Sequence, residues 1–189
     1  SPYRRRGDSK GTPGRNASGP ASARGFIRDA VVFDTVVTVF TDRRDAGEQL
    51  ATLLEEDDVD ADVVLAVPRG GLPVGRVVAD RLDAPLDVVV AKKMGAPRNP
   101  ELAIGAVGAD GSAWMNDDVV ANLDVGEEYV ERERERQVEA AREKAETYRD
   151  GRPVPDLSGR RALVVDDGIA TGATIIACLR QVRNADAAR

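Results

Sequence analysis

The chain has 189 residues and 42% apolar content, which suits one globular domain, and its 4% aromatic share makes the core mostly Val, Ala and Leu. Histidine is absent and Cys178 is the only cysteine, so imidazole chemistry and an intramolecular disulfide are excluded. The net charge of −6 is uneven: residues 1–28 hold seven Arg or Lys against one Asp, which leaves −12 on the remainder and argues against nucleic acid as partner of the folded part.

Residues 1–30 form a basic extension of Gly, Ser, Pro and Arg with almost nothing to bury, and are expected to be disordered. They read equally as an arm for nucleic acid or membrane and as a segment without a role. No run reaches the roughly 18 apolar residues of a membrane span, and no signal-peptide pattern occurs. A cytoplasmic protein with no membrane partner is therefore expected. One domain is expected over residues 31–189. Val31–Phe40 has strand composition, either an edge strand of that domain or sequence outside it. Asp45–Glu56 puts Ala46, Leu50, Leu53 and Leu54 on one face, which predicts a surface helix packed on a sheet.

Asp62–Val67 is a continuous apolar run of the kind buried on both faces, and it implies a parallel sheet. It ends in Pro68-Arg69-Gly70-Gly71, after which Val74, Val77, Val78 and Leu82 recur at helical spacing. Strand, Gly-Gly turn and helix make a phosphate-binding layout built on backbone N–H groups. Alone, that signal is weak. Asp87–Ala91 is the next buried strand. The cationic, Gly- and Pro-containing segment from Lys92 to Glu101 predicts no regular element. Lys92, Lys93 and Arg98, concentrated in an otherwise acidic chain, read as a mobile lid over an anionic ligand or as a solvated linker.

Leu102–Val107 resumes an apolar strand, and the Ala109–Ser112 turn leads into a hairpin with Ala113–Met115. Trp114 could stack on a base or pack under the following helix. Asp117–Leu123 is a short helix and Gly126–Arg149 a long, charged one. Its seam of Val138, Ala141, Ala145 and Tyr148 can pack on the domain or on a second subunit, which leaves a homodimer open. Its Glu/Arg pairs read as a solvated face with no catalytic role.

Ala162–Val165 is another apolar strand, followed by Asp166 and Asp167, a loop of small and hydroxyl residues, and a helix over Ala170–Asn184. The N–H groups of Thr171 to Thr174 would be first-turn donors at the positive end of a helix dipole, joined by the Thr171 and Thr174 hydroxyls. A phosphate fits there. Asp166 and Asp167 leave the carboxyl end of a buried strand, where open parallel sheets place ligands, and their carboxylates suit sugar hydroxyls or a hydrated magnesium ion. Diol at one end and phosphate at the other describes a ribose 5-phosphate. Cys178, on the helix, reads as a small core residue.

At Leu163, Val164, Val165, Asp166, Asp167, Gly168, Ile169, Ala170, Thr171, Gly172, Ala173 and Thr174 the sequence resembles the type I phosphoribosyltransferases, whose signature is four apolar residues, two acidic ones and a Thr-Gly-rich phosphate loop. The resemblance implies an α/β fold in three layers, a parallel sheet flanked by helices. It also implies phosphoribosyl transfer between 5-phosphoribosyl 1-pyrophosphate and a nitrogenous base, with Mg²⁺ as cofactor. On that reading Asp166 and Asp167 serve the ribose hydroxyls and, indirectly, the metal. Ala170, Thr171, Gly172, Ala173 and Thr174 bind the 5-phosphate. Arg69, Gly70 and Gly71 take the pyrophosphate, and Lys92, Lys93 and Arg98 form the lid. The family continues into a further core strand beyond Arg189, so a truncated C-terminus is expected. Two rivals come from other classes: a non-catalytic phosphoribosyl-pyrophosphate-binding regulatory module, and a nucleotide hydrolase. The second lacks any Gly-Lys dipeptide for its phosphate loop, and a dinucleotide-binding domain lacks the G-x-G spacing.

Overall fold

The computed structural model describes residues 40–188 and, ahead of them, residues 26–27 and 30–31. The chain divides into two units, Ser1–Val37 and Thr38–Arg189. In the first, β1 (Phe26–Ile27) pairs antiparallel with β2 (Ala30–Val31). This short hairpin spans the boundary between the extension, residues 1–30, and the strand expected from Val31. The rest of the basic extension, and the interior of the strand expected over Val31–Phe40, lie outside the described residues.

In the second unit the order is α1 (Arg43–Glu56), β3 (Val63–Ala66), α2 (Gly71–Arg81), β4 (Leu86–Val88), β5 (Ala91–Ala96), β6 (Asn99–Gly108), β7 (Ala113–Met115), α3 (Asp117–Asn122), α4 (Glu127–Arg149), β8 (Ala162–Val165) and α5 (Ala173–Asn184). β3 is the central strand, with β4 and β8 parallel on either side. All of its residues are buried, as its aliphatic run requires. The two-residue period of a strand then sorts them by face. Val64, with Val165 of β8, packs on Ala51 and Leu54 of α1 and on Val74 and Val78 of α2. Val63 and Leu65 turn the other way, onto Ala173, Ala177, Cys178 and Val182 of α5. Helices, parallel sheet and helix thus form the three expected layers, and Cys178 is wholly buried among them.

Two local expectations are corrected. The segment Lys92–Glu101 is no irregular loop: Ala91–Ala96 and Asn99–Gly108 form an antiparallel hairpin that turns at residues 97 and 98. Met94 and Ala96 are buried with Ile104 and Val107 against Tyr129, Val130 and Val138 of α4, and that burial stabilises a strand despite the flanking Gly and Pro. Gly95 is required at its position, because a Cβ would lie 2.7 Å from the Pro100 carbonyl oxygen, and the pairing register shifts on both sides of it. The strand expected over Asp87–Ala91 is also divided. β4 belongs to the parallel sheet, and Ala91 already belongs to the hairpin.

The apolar seam of α4 packs on its own unit, where Ala141 and Ala145 are buried with Val88 and Val90 and Tyr148 lies against them. Trp114, opposite Ala106 in the hairpin sheet, packs against the cluster on the α5 side: it is a packing residue, but not under the helix that follows it, as the sequence reading had it. After α5 the chain turns back, and Ala188 pairs parallel with Arg161, its N–H donating to the Arg160 carbonyl at 2.8 Å. That pairing lies just ahead of β8. No helix among the described residues is long and apolar enough to cross a membrane.

Candidate functional site

Ala66 and Val165 are register partners at the ends of β3 and β8, so the turn after β3 and the loop after β8 leave the same edge of the sheet together. Between them lies a cleft of about 320 Å³, lined by residues 67–70, 166–172, 174 and 175. The two segments are in contact. A Cβ on Gly70 would overlap the Asp167 carboxylate, and one on Gly71 would come within 2.8 Å of the Val165 carbonyl oxygen. The glycines of the Pro68–Gly71 turn are therefore fixed by close approach to the second loop rather than by unusual dihedral angles, since Gly70 has an ordinary φ of −67°. The Pro68–Arg69 peptide is cis. Gly71 N–H donates to Val67 O at 3.0 Å, while the N–H groups of Arg69 and Gly70 have no protein acceptor among the described residues.

The second loop ends at Gly172, whose φ of 81° suits glycine, and α5 begins at Ala173 rather than at Ala170. No acidic residue occupies the first turn of α5. The first-turn N–H groups and the Thr174 hydroxyl thus form the positive end of a twelve-residue helix dipole whose N-terminal side opens on the cleft.

Neighbouring carboxylates in the cleft have opposite electrostatics. Burial pushes the Asp166 carboxyl up to about 6, while its Oδ1 accepts the Asp167 N–H at 2.8 Å. Asp167 is held below the usual carboxylate range, chiefly by Arg43, whose Nε donates to Asp167 Oδ2 at 2.8 Å and whose Nη2 lies 2.7 Å from the same oxygen. One residue of the pair can therefore hold a proton near neutral pH, and the other stays charged.

Arg69, Gly70, Gly71, Asp166, Asp167, residues 170–172 and Thr174 come together at this edge, whereas the Ala173 side chain is buried in the core. The cations of the hairpin are distributed differently. Lys93 donates to the Glu101 carboxylate and carbonyl oxygens, each at 3.1 Å, and Arg98 is exposed at the turn. Lys92, on the opposite strand face from Lys93, is close enough to lower the proton affinity of Lys144 electrostatically.

Lys144 and Arg43 are site residues that the sequence reading did not assign. Lys144 reaches in from α4 and donates to the Pro68 carbonyl at 2.6 Å, at the base of the first turn. Burial lowers its proton affinity, with Lys92 and Arg69 adding to the effect and Asp166 opposing it. Its position carried a signal, since Lys144 shares a helical face with Ala141 and Tyr148 of the apolar seam.

Comparison with known proteins bears on this geometry. Residues 42–189 match the family described as "Phosphoribosyl transferase domain". Two proteins from strains of Mycobacterium tuberculosis, each named "Putative phosphoribosyl transferase", are 47% identical over 145 residues, which cover 77% of this chain and 33% of theirs. The chain thus spans about a third of the length of these curated relatives. Among solved structures, protein TT1426 from Thermus thermophilus is similar at 43% identity with a TM-score of 0.65, over 79% of this chain and 71% of that one.

Proposed function

The chain belongs to the phosphoribosyl transferase domain family, and from that premise we propose that its cleft binds 5-phosphoribosyl 1-pyrophosphate and passes the phosphoribosyl group to a nitrogenous base, releasing pyrophosphate. The observation that carries the reading is the contact between Gly70 and Asp167, which joins a phosphate-type turn to an acidic, hydroxyl-rich loop in one cleft. Such a divided site matches a ligand with a diol, a phosphate and a pyrophosphate on one sugar. In the reaction the anomeric C–O bond breaks with its electron pair going to pyrophosphate, and a C–N bond forms to the base. No protein nucleophile is required.

Asp167, kept ionised, would accept a ribose hydroxyl. Asp166, with its raised proton affinity, is the carboxyl suited to take the proton that the base sheds near neutral pH. Ala170 to Thr174 would seat the 5-phosphate on the helix N-terminus. The N–H groups of Arg69 and Gly70 would meet the pyrophosphate, with Lys92 the hairpin cation whose charge is felt at Lys144 beside that turn. Among the described residues no three His, Cys, Asp or Glu side chains gather as a metal cage. The two carboxylates suit a magnesium ion held mainly by water and substrate oxygens. When bound, it would supply charge neutralisation on the departing pyrophosphate.

Pyrophosphate release from the donor, measured with Mg²⁺ across a panel of purines and pyrimidines, tests the proposal. Base-dependent release is the expected result. Tight donor binding with no release for any base would instead support a regulatory binding module.

A further inference from the structure

Arg43 reaches the cleft through Asp167, and the donor-site reading gives it no role. It belongs to neither loop. It opens α1, where the Asp42 side chain accepts the Arg44 and Asp45 N–H groups at 2.8 and 2.9 Å and so sets Arg43 at the first helical position. From there Nε donates to Asp167 Oδ2 at 2.8 Å, and Nη2 lies 2.7 Å from the same oxygen in the ion pair. The same oxygen is the atom that a Cβ on Gly70 would meet first. Guanidinium, carboxylate and the Gly70 backbone therefore converge where the two loops touch, although Arg43 and Asp167 are 124 positions apart in sequence. The Arg43 side chain is 59% exposed, and its Nη1 has no protein acceptor among the described residues.

We propose that Arg43 is a pyrophosphate-binding residue that extends the Pro68–Gly71 turn with a guanidinium oriented by Asp167. The assignment rests on the donor-site reading above. A planar guanidinium engages phosphate oxygens with several donors at once, and one already oriented by an ion pair and an Nε–H bond to Asp167 has less freedom to lose on binding. The arrangement is reciprocal, because Arg43 also keeps Asp167 ionised for the sugar. Pyrophosphate and diol thus meet at a shared pair of charges.

Ligand fragments separate these roles. Ribose 5-phosphate carries the diol and the 5-phosphate, inorganic pyrophosphate carries the other half, and 5-phosphoribosyl 1-pyrophosphate carries both. Each is titrated calorimetrically, with Mg²⁺, into the unsubstituted chain, R43Q and R43K. R43Q is expected to lose roughly tenfold or more in affinity for pyrophosphate and for the whole donor, the scale of one charge-assisted contact, with ribose 5-phosphate retained and R43K intermediate. Losses toward ribose 5-phosphate and the whole donor with pyrophosphate spared would mean that Arg43 acts only by holding Asp167, and equal losses toward all three would mean a general disturbance of the cleft; either would overturn the assignment. Unchanged pyrophosphate binding in R43Q would overturn it as well. An unsubstituted chain that binds none of the three would overturn the donor-site reading itself, and this assignment with it.

Discussion

Asp166 and Asp167 are adjacent in sequence, yet burial raises the proton affinity of one and Arg43 lowers that of the other. The consequence for stability has a definite sign. Folding raises the Asp166 carboxyl from 3.8 to about 6, so the native state holds this proton more tightly, and the associated stability is present below about pH 4 and lost as pH rises through about 6. Asparagine mimics the protonated form. Asp166→Asn is therefore expected to be more stable than the unsubstituted chain near pH 7, by about 1 kcal/mol once the partial exposure of the group is discounted, and to show no advantage near pH 4. Urea unfolding at the two pH values measures this, and an equal difference at both would contradict the assigned proton.

At the scale of elements, α4 acts on the site from a distance. Its apolar seam docks the helix on β4 and the hairpin, and this docking brings Lys144 to the Pro68 carbonyl. Replacing Lys144 by Met keeps the stem but leaves that carbonyl without its donor. Lys144→Met is expected to lower donor affinity roughly tenfold, and Lys144→Arg to recover most of the loss, as read by calorimetric titration. Equal weakening by both substitutions would point to packing instead of loop positioning. The hairpin illustrates why some elements were harder to read. Gly95, Pro97 and Pro100 are signals for a loop, and only the burial of Met94 and Ala96 under α4, a tertiary effect, outweighs them.

Across the whole molecule, what could be read from the sequence was what local chemistry decides. The apolar runs Val63–Ala66 and Ala162–Val165 announced parallel strands, and the Gly-Gly turn and Thr-Gly loop announced the two segments that line the cleft, because their layout is decided within a few residues. Arg43 and Lys144 were not assigned because their partners lie 124 and 76 positions away, and only the fold brings them to the cleft. The account stands on a single claim, that the loops after β3 and β8 make one donor site centred on the two aspartates. Calorimetric titration of 5-phosphoribosyl 1-pyrophosphate, with Mg²⁺, into the Asp166→Asn, Asp167→Asn double variant tests it most directly. The account predicts that affinity falls by roughly a hundredfold or more while the far-ultraviolet spectrum and cooperative unfolding are retained; a folded double variant that binds the donor as tightly as the unsubstituted chain would contradict it.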